Sequence, residues 1–410
     1  MKISRVEAHL LSYPLPDAPV LRYYGGERRI VKRDAMLIRV TTDNGLTGWA
    51  PGQATEANRD AILNEVAPFL TGHVLADADA LRIKFQGHAG LSAGARKAYS
   101  QVEMALYDLL GQDHQLPVSE LLGGRVRDDI RLYGSAGMYQ APEEYAQEAV
   151  AIRDLGFTAY KMRPGLGPDD DARTVELMRK AAGPALDLMV DAHTWWRMGD
   201  RSYSAETVEQ LARAFAPHDV AWLEEPVLPD DHEALRKLRA LELLPIASGE
   251  HEPNEDGFLD LIDGDCVDIV QQDILCQGGY PTARRLFGAI ARRGLRFAFH
   301  SWGTDLEVLA AAQLGICWPE DVVEWLEYPV YTTAETKSMY PWPLAREILK
   351  EPLEIKNGNL IVPRKSGLGI AVDPAVIERY PWQPGPWSYF TLISPAETFA
   401  VVGDHSIKFA

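Results

Sequence analysis

Residues 220–250 read VAWLEEPVLPDDHEALRKLRALELLPIASGE. An apolar run ends on Glu224, and a second ends on Glu250 one strand, one helix and two loops later. The same event recurs on either side. Asp191 follows LDLMV, Asp273 follows CVDIVQQ, His300 follows LRFAF and Glu327 follows VVEWL, at intervals of 33, 26, 23, 27 and 27 residues from Asp191 onward. Six chemically capable residues at one strand-and-helix pitch predict a (β/α) barrel with a charged site at the C-terminal ends of its strands.

Outward from this ladder the alternation continues upstream. RLYGSAG (131–137) and FTAYKM (157–162) read as strands. PEEYAQEAVAIRDLG (142–156) reads as a helix between them, with proline at its start and glycine at its end. With LDLMVD, AWLE, PIASGE, VDIVQQ, FAFH and VEWLE there are eight strand candidates, which favours a closed barrel over an open sheet. Residues 1–125 do not keep this pitch. MLIRVTTDNGLTGWAP holds two strands joined at Asp43-Asn44-Gly45, and helical spacings follow, as at Val102, Leu106, Leu109 and Leu110. The expected organisation is an α+β capping domain over 1–125, completed by about 351–378. A barrel spans 126–350. A C-terminal extension, 379–410, is expected at a subunit interface, because its Trp382, Trp387, Tyr389 and Phe390 are too aromatic for a disordered tail. A hairpin is expected around Asn357-Gly358-Asn359.

The chain has 410 residues, 46% hydrophobic and 24% charged, with a net charge of −18 and a pI near 5.0. Its length suggests two domains. The negative charge argues against nucleic acid or an anionic membrane as partner, and no apolar stretch approaches a membrane span. Cys266, Cys276 and Cys317 show no metal-type spacing and no even set, and the first residues do not read as a secretory signal, so a reduced cytoplasm is expected.

Chemically, Asp191, Glu224 and Glu250 could supply oxygen ligands to a hard divalent cation such as Mg²⁺. No Cys/His pattern supports zinc. Asp273 and His300, on neighbouring strands, make an oriented general base.

These pieces resemble the enolase superfamily in its mandelate racemase subgroup. The matching segments are YKMR (160–163), VDAH (190–193), WLEEP (222–226), SGEH (248–251), QQDILCQGG (271–279), FHSWGT (299–304) and EWLE (324–327), with ALYDLLG (105–111) and PVSELLGG (117–124) ahead of them. The resemblance implies a capping domain over a modified (β/α)7β TIM-type barrel, and one Mg²⁺ held by Asp191, Glu224 and Glu250. It also implies removal of a proton α to a carboxylate to give a metal-stabilised enediolate, with Glu327 bonded to the substrate carboxylate, and subunits that associate as a homo-oligomer.

Two departures bear on the reaction. Where many members carry a second basic lysine, Arg163 stands beside Lys161. Arginine stays protonated, so both are expected to hold substrate oxygens. Where many members carry asparagine, His193 stands, in phase with Asp191. In this respect the chain resembles the superfamily's acid-sugar dehydratases, in which this histidine protonates the leaving 3-hydroxyl. A racemase needs a base on each face of the α-carbon, whereas a dehydratase needs one base and one acid. The expected activity is therefore Mg²⁺-dependent dehydration of a sugar acid, aldonate or aldarate, to a 2-keto-3-deoxy acid. The alternative is a racemase, epimerase or lactone cycloisomerase working through the same intermediate. Tyr24 in the capping loop and Trp302 after His300 are expected to line the substrate cavity, with Trp195 and Trp196 as further candidates. Arg22, Arg28 and Arg29 are candidates for a cation at the substrate's far end.

Overall fold

The computed structural model describes residues 1–23, 26–138, 140–192, 195, 203–333, 336–337, 339–392 and 398–401. The expected Tyr24, His193 and Trp196 lie outside the described residues.

The N-terminal strands are β1 (Ile3–Pro14), β2 (Val20–Tyr23), β3 (Gly26–Ile30), β4 (Lys32–Thr42) and β5 (Thr47–Gly52). β1, β4 and β5 form an antiparallel sheet, with β4 and β5 joined through the Asp43-Asn44-Gly45 turn. The helix Ala93–His114 packs on this sheet, and Ala98, Val102, Ala105, Leu106 and Leu109 on it are all inaccessible to solvent.

The barrel follows, with β6 (Asp129–Met138), β7 (Ala159–Arg163), β8 (Asp187–Asp191), β9 (Val220–Glu224), β10 (Ile246–Ser248), β11 (Ile269–Asp273), β12 (Arg296–His300) and β13 (Val323–Pro329). Neighbours pair in parallel, and β13 closes on β6 from Trp325↔Arg131 to Pro329↔Ser135. A helix follows each of the first seven strands: Pro142–Asp154, Pro168–Ala182, Ala205–Phe215, His232–Arg239, Glu255–Asp263, Gly279–Arg293 and Asp305–Gly315. The expected (β/α)7β barrel with its α+β cap is therefore what forms. Ser204 caps the helix that starts at Ala205, accepting from the Thr207 amide at 3.3 Å.

One residue from each barrel strand enters a separate buried cluster: Tyr133, Ala159, Met189, Trp222, Ala247, Ile269, Ala298 and Trp325. Large and small side chains share this layer, and the Tyr133 ring meets Trp222 edge-on at 5.3 Å. The layer closes the barrel below the site. Because side chains alternate along a strand, positions two residues further on face the same interior: Ser135, Lys161, Asp191, Glu224, Gly249, Gln271, His300 and Glu327. The apolar plug and the charged layer are thus consecutive turns of one period-two pattern.

A short hairpin, β14 (Ile355–Lys356) and β15 (Asn359–Ile361), turns through Asn357 and Gly358 with φ of 50° and 73° and hydrogen-bonds to β6 of the barrel. Two left-handed residues in a two-residue loop are what the right-handed strand twist favours. Beyond it, the Leu368 amide donates to Asp108 on the long cap helix at 2.9 Å. The last strands, β16 (Ser388–Leu392) and β17 (Thr398–Val401), add to β2 and β3, with Tyr389 opposite Arg29. The described part of the C-terminal extension therefore packs on this chain's own capping hairpin. Among the described residues no helix is long and apolar enough to cross a membrane.

Candidate active site

Each strand delivers its side chain by simple register. Asp191 and Glu224 are paired residues at the ends of β8 and β9, and Asp273 and His300 are paired at the ends of β11 and β12. Glu250 arrives differently. Sequence reading ran the fifth strand through Glu250, but β10 ends at Ser248. Gly249 then takes φ of 135°, where a Cβ would lie 2.3 Å from the Gln271 carbonyl oxygen. Only glycine fits this close approach, and the turn brings Glu250 toward the barrel mouth.

His300 has a partner on each ring nitrogen. Nδ1 lies 2.9 Å from Asp273 Oδ2, and Nε2 lies 3.0 Å from Glu250 Oε2 and 3.7 Å from Glu327 Oε2. Asp273 is itself fixed, its Oδ1 accepting the Leu275 and Cys276 amides at 2.7 and 3.1 Å. The aspartate thus orients the ring so that Nε2 faces the site.

Two cations stand beside the carboxylates. The Lys161 ammonium lies 2.7 Å from Glu224, 3.1 Å from Glu327 and 3.4 Å from Asp191. The Arg163 guanidinium contacts Asp191 at 2.9 Å and Glu327 at 3.3 Å, donates to Ser135 Oγ at 3.0 Å, and lies 4.1 Å over the Trp302 ring. Glu327 also accepts the Ser301 amide at 3.1 Å, and Glu224 accepts the Trp222 indole N–H at 3.0 Å. Apart from the half-buried Trp302, these side chains are buried.

The charges do not balance as they stand. Five carboxylates face two permanent cations in a volume shielded from water, and this excess shifts the acidities of the groups that share it. Burial and repulsion from Asp191, Glu250 and Glu327 push Glu224 up to about 8, against the pull of Lys161. Burial alone would lower His300, but Glu250, Glu327 and Asp273 together raise it to about 10. Glu327, despite burial, is held down at about 2 by Lys161, His300 and Arg163. Arg163 is raised well above its ordinary value by Asp191 and Glu327 in spite of desolvation, so it stays a cation. A set in which one carboxylate tends to keep a proton and the prospective base is protonated is suited to one additional divalent charge. Asp191, Glu224 and Glu250, all oxygen donors from adjacent strand ends, fit a hard cation.

Another ligand-type cluster among the described residues is Glu225, Glu250 and His251, whose ligand atoms lie within 4.8 Å of one another. His251 Nδ1 lies 2.8 Å from Glu225 and 3.2 Å from Glu250. Glu225 sits at φ of 43°, past the end of β9 and out of phase with the interior layer. Its carboxylate is already engaged by the histidine, so this pair serves better to orient Glu250 than to form the centre of the site.

The fold thus brings together nine residues singled out from sequence: Asp191, Glu224, Glu250, Asp273, His300, Glu327, Lys161, Arg163 and Trp302. Trp195 is instead 1% exposed and packs against Tyr203 at 4.9 Å. Sequence reading leaves the role of His251, beside Glu250, open and misses its partner Glu225. It also misses Glu307, a buried carboxylate that accepts the Ser301 hydroxyl at 2.8 Å.

Comparison with known proteins agrees with this architecture. The family profile for the enolase C-terminal domain-like region matches residues 144–376, and that for the mandelate racemase/muconate lactonizing enzyme N-terminal domain matches residues 28–123. The chain belongs to the mandelate racemase subgroup of the enolase superfamily. Enzymes of this superfamily bind a divalent metal, and the ligand-type groups gathered around Glu250, with Glu225 and His251, are a possible site for one. Among its relatives, a D-galactarolactone cycloisomerase of Agrobacterium fabrum is 28% identical over 390 residues, covering 93% of this chain and 99% of that one. A D-xylonate dehydratase of Haloferax volcanii is 28% identical over 369 residues, 84% of this chain and 85% of that one. The crystal structure of the 3,6-anhydro-D-galactonate cycloisomerase of Zobellia galactanivorans superposes with a TM-score of 0.78 at 29% identity, covering 93% of this chain and all of that one.

Proposed function

We propose that this superfamily member is a Mg²⁺-dependent dehydratase of a sugar acid. The observation that carries this reading is the one-sidedness of the site. His300, oriented by Asp273 at 2.9 Å, is a general base. Arg163, where a second base would stand in a two-base racemase, is locked between Asp191 and Glu327. One face has a base and the other has a fixed cation, which suits elimination better than inversion.

In this mechanism the substrate carboxylate lies between Lys161, Arg163 and Glu327. His300 Nε2 takes the C2 proton, and Asp273 stabilises the imidazolium that results. A divalent cation held by Asp191, Glu224 and Glu250 would supply charge stabilisation to the carboxylate as electron density moves onto it. The same charge would relieve the pull of Glu250 on His300, freeing the ring to act as a base near neutral pH. The C3–O bond then breaks, and the hydroxyl leaves as water with a proton that we assign to His193. The enol ketonises to a 2-keto-3-deoxy acid, so one substrate gives one keto acid and one water.

The second reading is a lactone cycloisomerase, favoured by two cycloisomerases that align over nearly the whole chain, one named for D-galactarolactone and one for 3,6-anhydro-D-galactonate. A panel of aldonates, aldarates and their lactones, assayed with semicarbazide for keto product in Mg²⁺ and in excess chelator, tests both. The dehydratase reading expects Mg²⁺-dependent keto acid from an open-chain acid. Turnover of lactones alone would replace it with the second reading. Full activity of His193→Asn would remove the assigned acid.

A further inference from the structure

Among the described residues, Arg33 is a buried cation without a counter-ion. It lies on β4 of the cap, 4% exposed, and no carboxylate among the described residues comes within ion-pair distance of it. Its Nε has no hydrogen-bond partner, and its one recorded polar contact is a weak one from Nη2 to Met339 Sδ at 3.8 Å. Other buried cations are provided for: Lys32 pairs with Asp34 at 3.0 Å and Arg163 with Asp191 at 2.9 Å. Burying an unpaired charge is costly, so such groups ordinarily carry a partner.

The position of Arg33 indicates which partner. It lines a cavity of about 110 Å³ that also touches Asp273, Trp302, Glu307, Tyr340 and Trp387. Asp273 places one wall of the cavity against the residue that orients His300, and Arg33 to Met36 place the other in the cap. The acids on its wall are already engaged: Asp34 by Lys32 and Ser12, Asp273 by His300, and Glu307 by Ser301. Trp302 and Tyr340 on its wall belong to a continuous stack that reaches Arg163 outside the lining. Arg163 lies 4.1 Å over Trp302, Trp302 meets Tyr340 at 4.6 Å, and Arg33 lies 4.4 Å over Tyr340. Trp387, from the C-terminal extension, stands 5.1 Å from the same guanidinium. A cation stands at each end of an aromatic wall, one at the reacting end and one at the far end.

The cap arginines expected from sequence do not fill this place. Arg22 pairs with Glu27 at 3.2 Å with its side chain 83% exposed. Arg28 donates to Ser388 at 3.2 Å and lies over Trp387.

We propose that the substrate is a di-acid, an aldarate, whose distal carboxylate is held by Arg33. This rests on the sugar-acid function above and specifies its substrate class. The guanidinium fork suits a carboxylate bidentately. Its contact is remote from C2, so it acts mainly through KM.

Two measurements on the Mg²⁺-loaded protein test it. The first is calorimetric binding of adipate against hexanoate, chains of equal length that differ in the second carboxylate. Adipate is expected to bind roughly 30-fold tighter, the scale of one charge-assisted hydrogen-bonded pair. The gap should close in Arg33→Gln and be partly kept in Arg33→Lys. The second is kcat/KM for an aldarate against the aldonate of the same configuration, a preference that should fall in Arg33→Gln chiefly through KM. Equal binding of the two probes, or a gap unchanged in Arg33→Gln, would overturn the assignment. If Arg33→Gln fails to fold, the wild-type gap and its partial retention in Arg33→Lys decide. If no sugar acid of the panel is turned over, the dehydratase reading fails, and the probe comparison still decides whether Arg33 holds an anion.

Discussion

At the scale of single residues, the proposed chemistry depends on a histidine, His300, whose two nitrogens are both committed. Asp273 fixes Nδ1 and Glu250 with Glu327 surrounds Nε2. A positioned general base contributes on the order of 10²–10⁴ in rate, so His300→Asn is expected to lower kcat by about that range. Asp273→Asn is expected to lose most of the same factor through the wrong tautomer. The double variant should be no worse than about the poorer single one, because the pair acts as a unit. Steady-state kinetics on the three variants checks this, and additive losses would show that the two side chains act separately.

Elements explain why the ladder was legible and why parts of the site were not. Asp191, Glu224, His300 and Glu327 follow apolar runs because each sits two residues beyond a member of the inner layer, so the strand period itself exposes them in sequence. Glu250 kept its place in the site although β10 stops two residues earlier, since Gly249 makes the turn. The Glu225–His251 pair depends on a left-handed backbone at Glu225, which nothing in WLEEP announces. Arg33 was invisible for another reason. Its cavity exists only once cap strand, barrel loop and C-terminal segment meet, and no local spacing encodes that meeting. The inner layer carries its own prediction. Trp222 is wholly buried and donates to Glu224. Trp222→Ala should cost about 3–5 kcal/mol of stability as the cavity opens, measured as a lower midpoint in urea. A change under about 1 kcal/mol would mean that the layer is not load-sharing, since the transfer loss alone exceeds it.

For the whole molecule, charge is the organising constraint. The chain carries −18 overall and concentrates five carboxylates in its centre. Mg²⁺ at about 100 times its Kd should therefore stabilise the fold by about 2.7 kcal/mol through mass action, raising the calorimetric Tm, with chelator reversing the rise. No shift in Tm would contradict a metal held by Asp191, Glu224 and Glu250. Elsewhere, burial pushes Asp171 and Asp305 each from an ordinary 3.8 up to about 7. For an acid raised in the folded state, the native form binds the extra proton. The stability this gives is complete below about pH 4, since the unfolded group is then also protonated, and is lost as pH rises toward 7. The Tm of metal-free protein should therefore decline across that window, and the slope should flatten in Asp171→Asn and Asp305→Asn. An unchanged slope would place the loss elsewhere.

The central claim is that a one-base site abstracts the C2 proton and expels the 3-hydroxyl. Proton NMR of a turned-over sugar acid in D₂O with Mg²⁺ reads both events in one sample. The account predicts that the C2 proton signal disappears in step with the growth of a 2-keto-3-deoxy product. Deuterium accumulating at C2 of a substrate that keeps its 3-hydroxyl, with no keto acid formed, would contradict it.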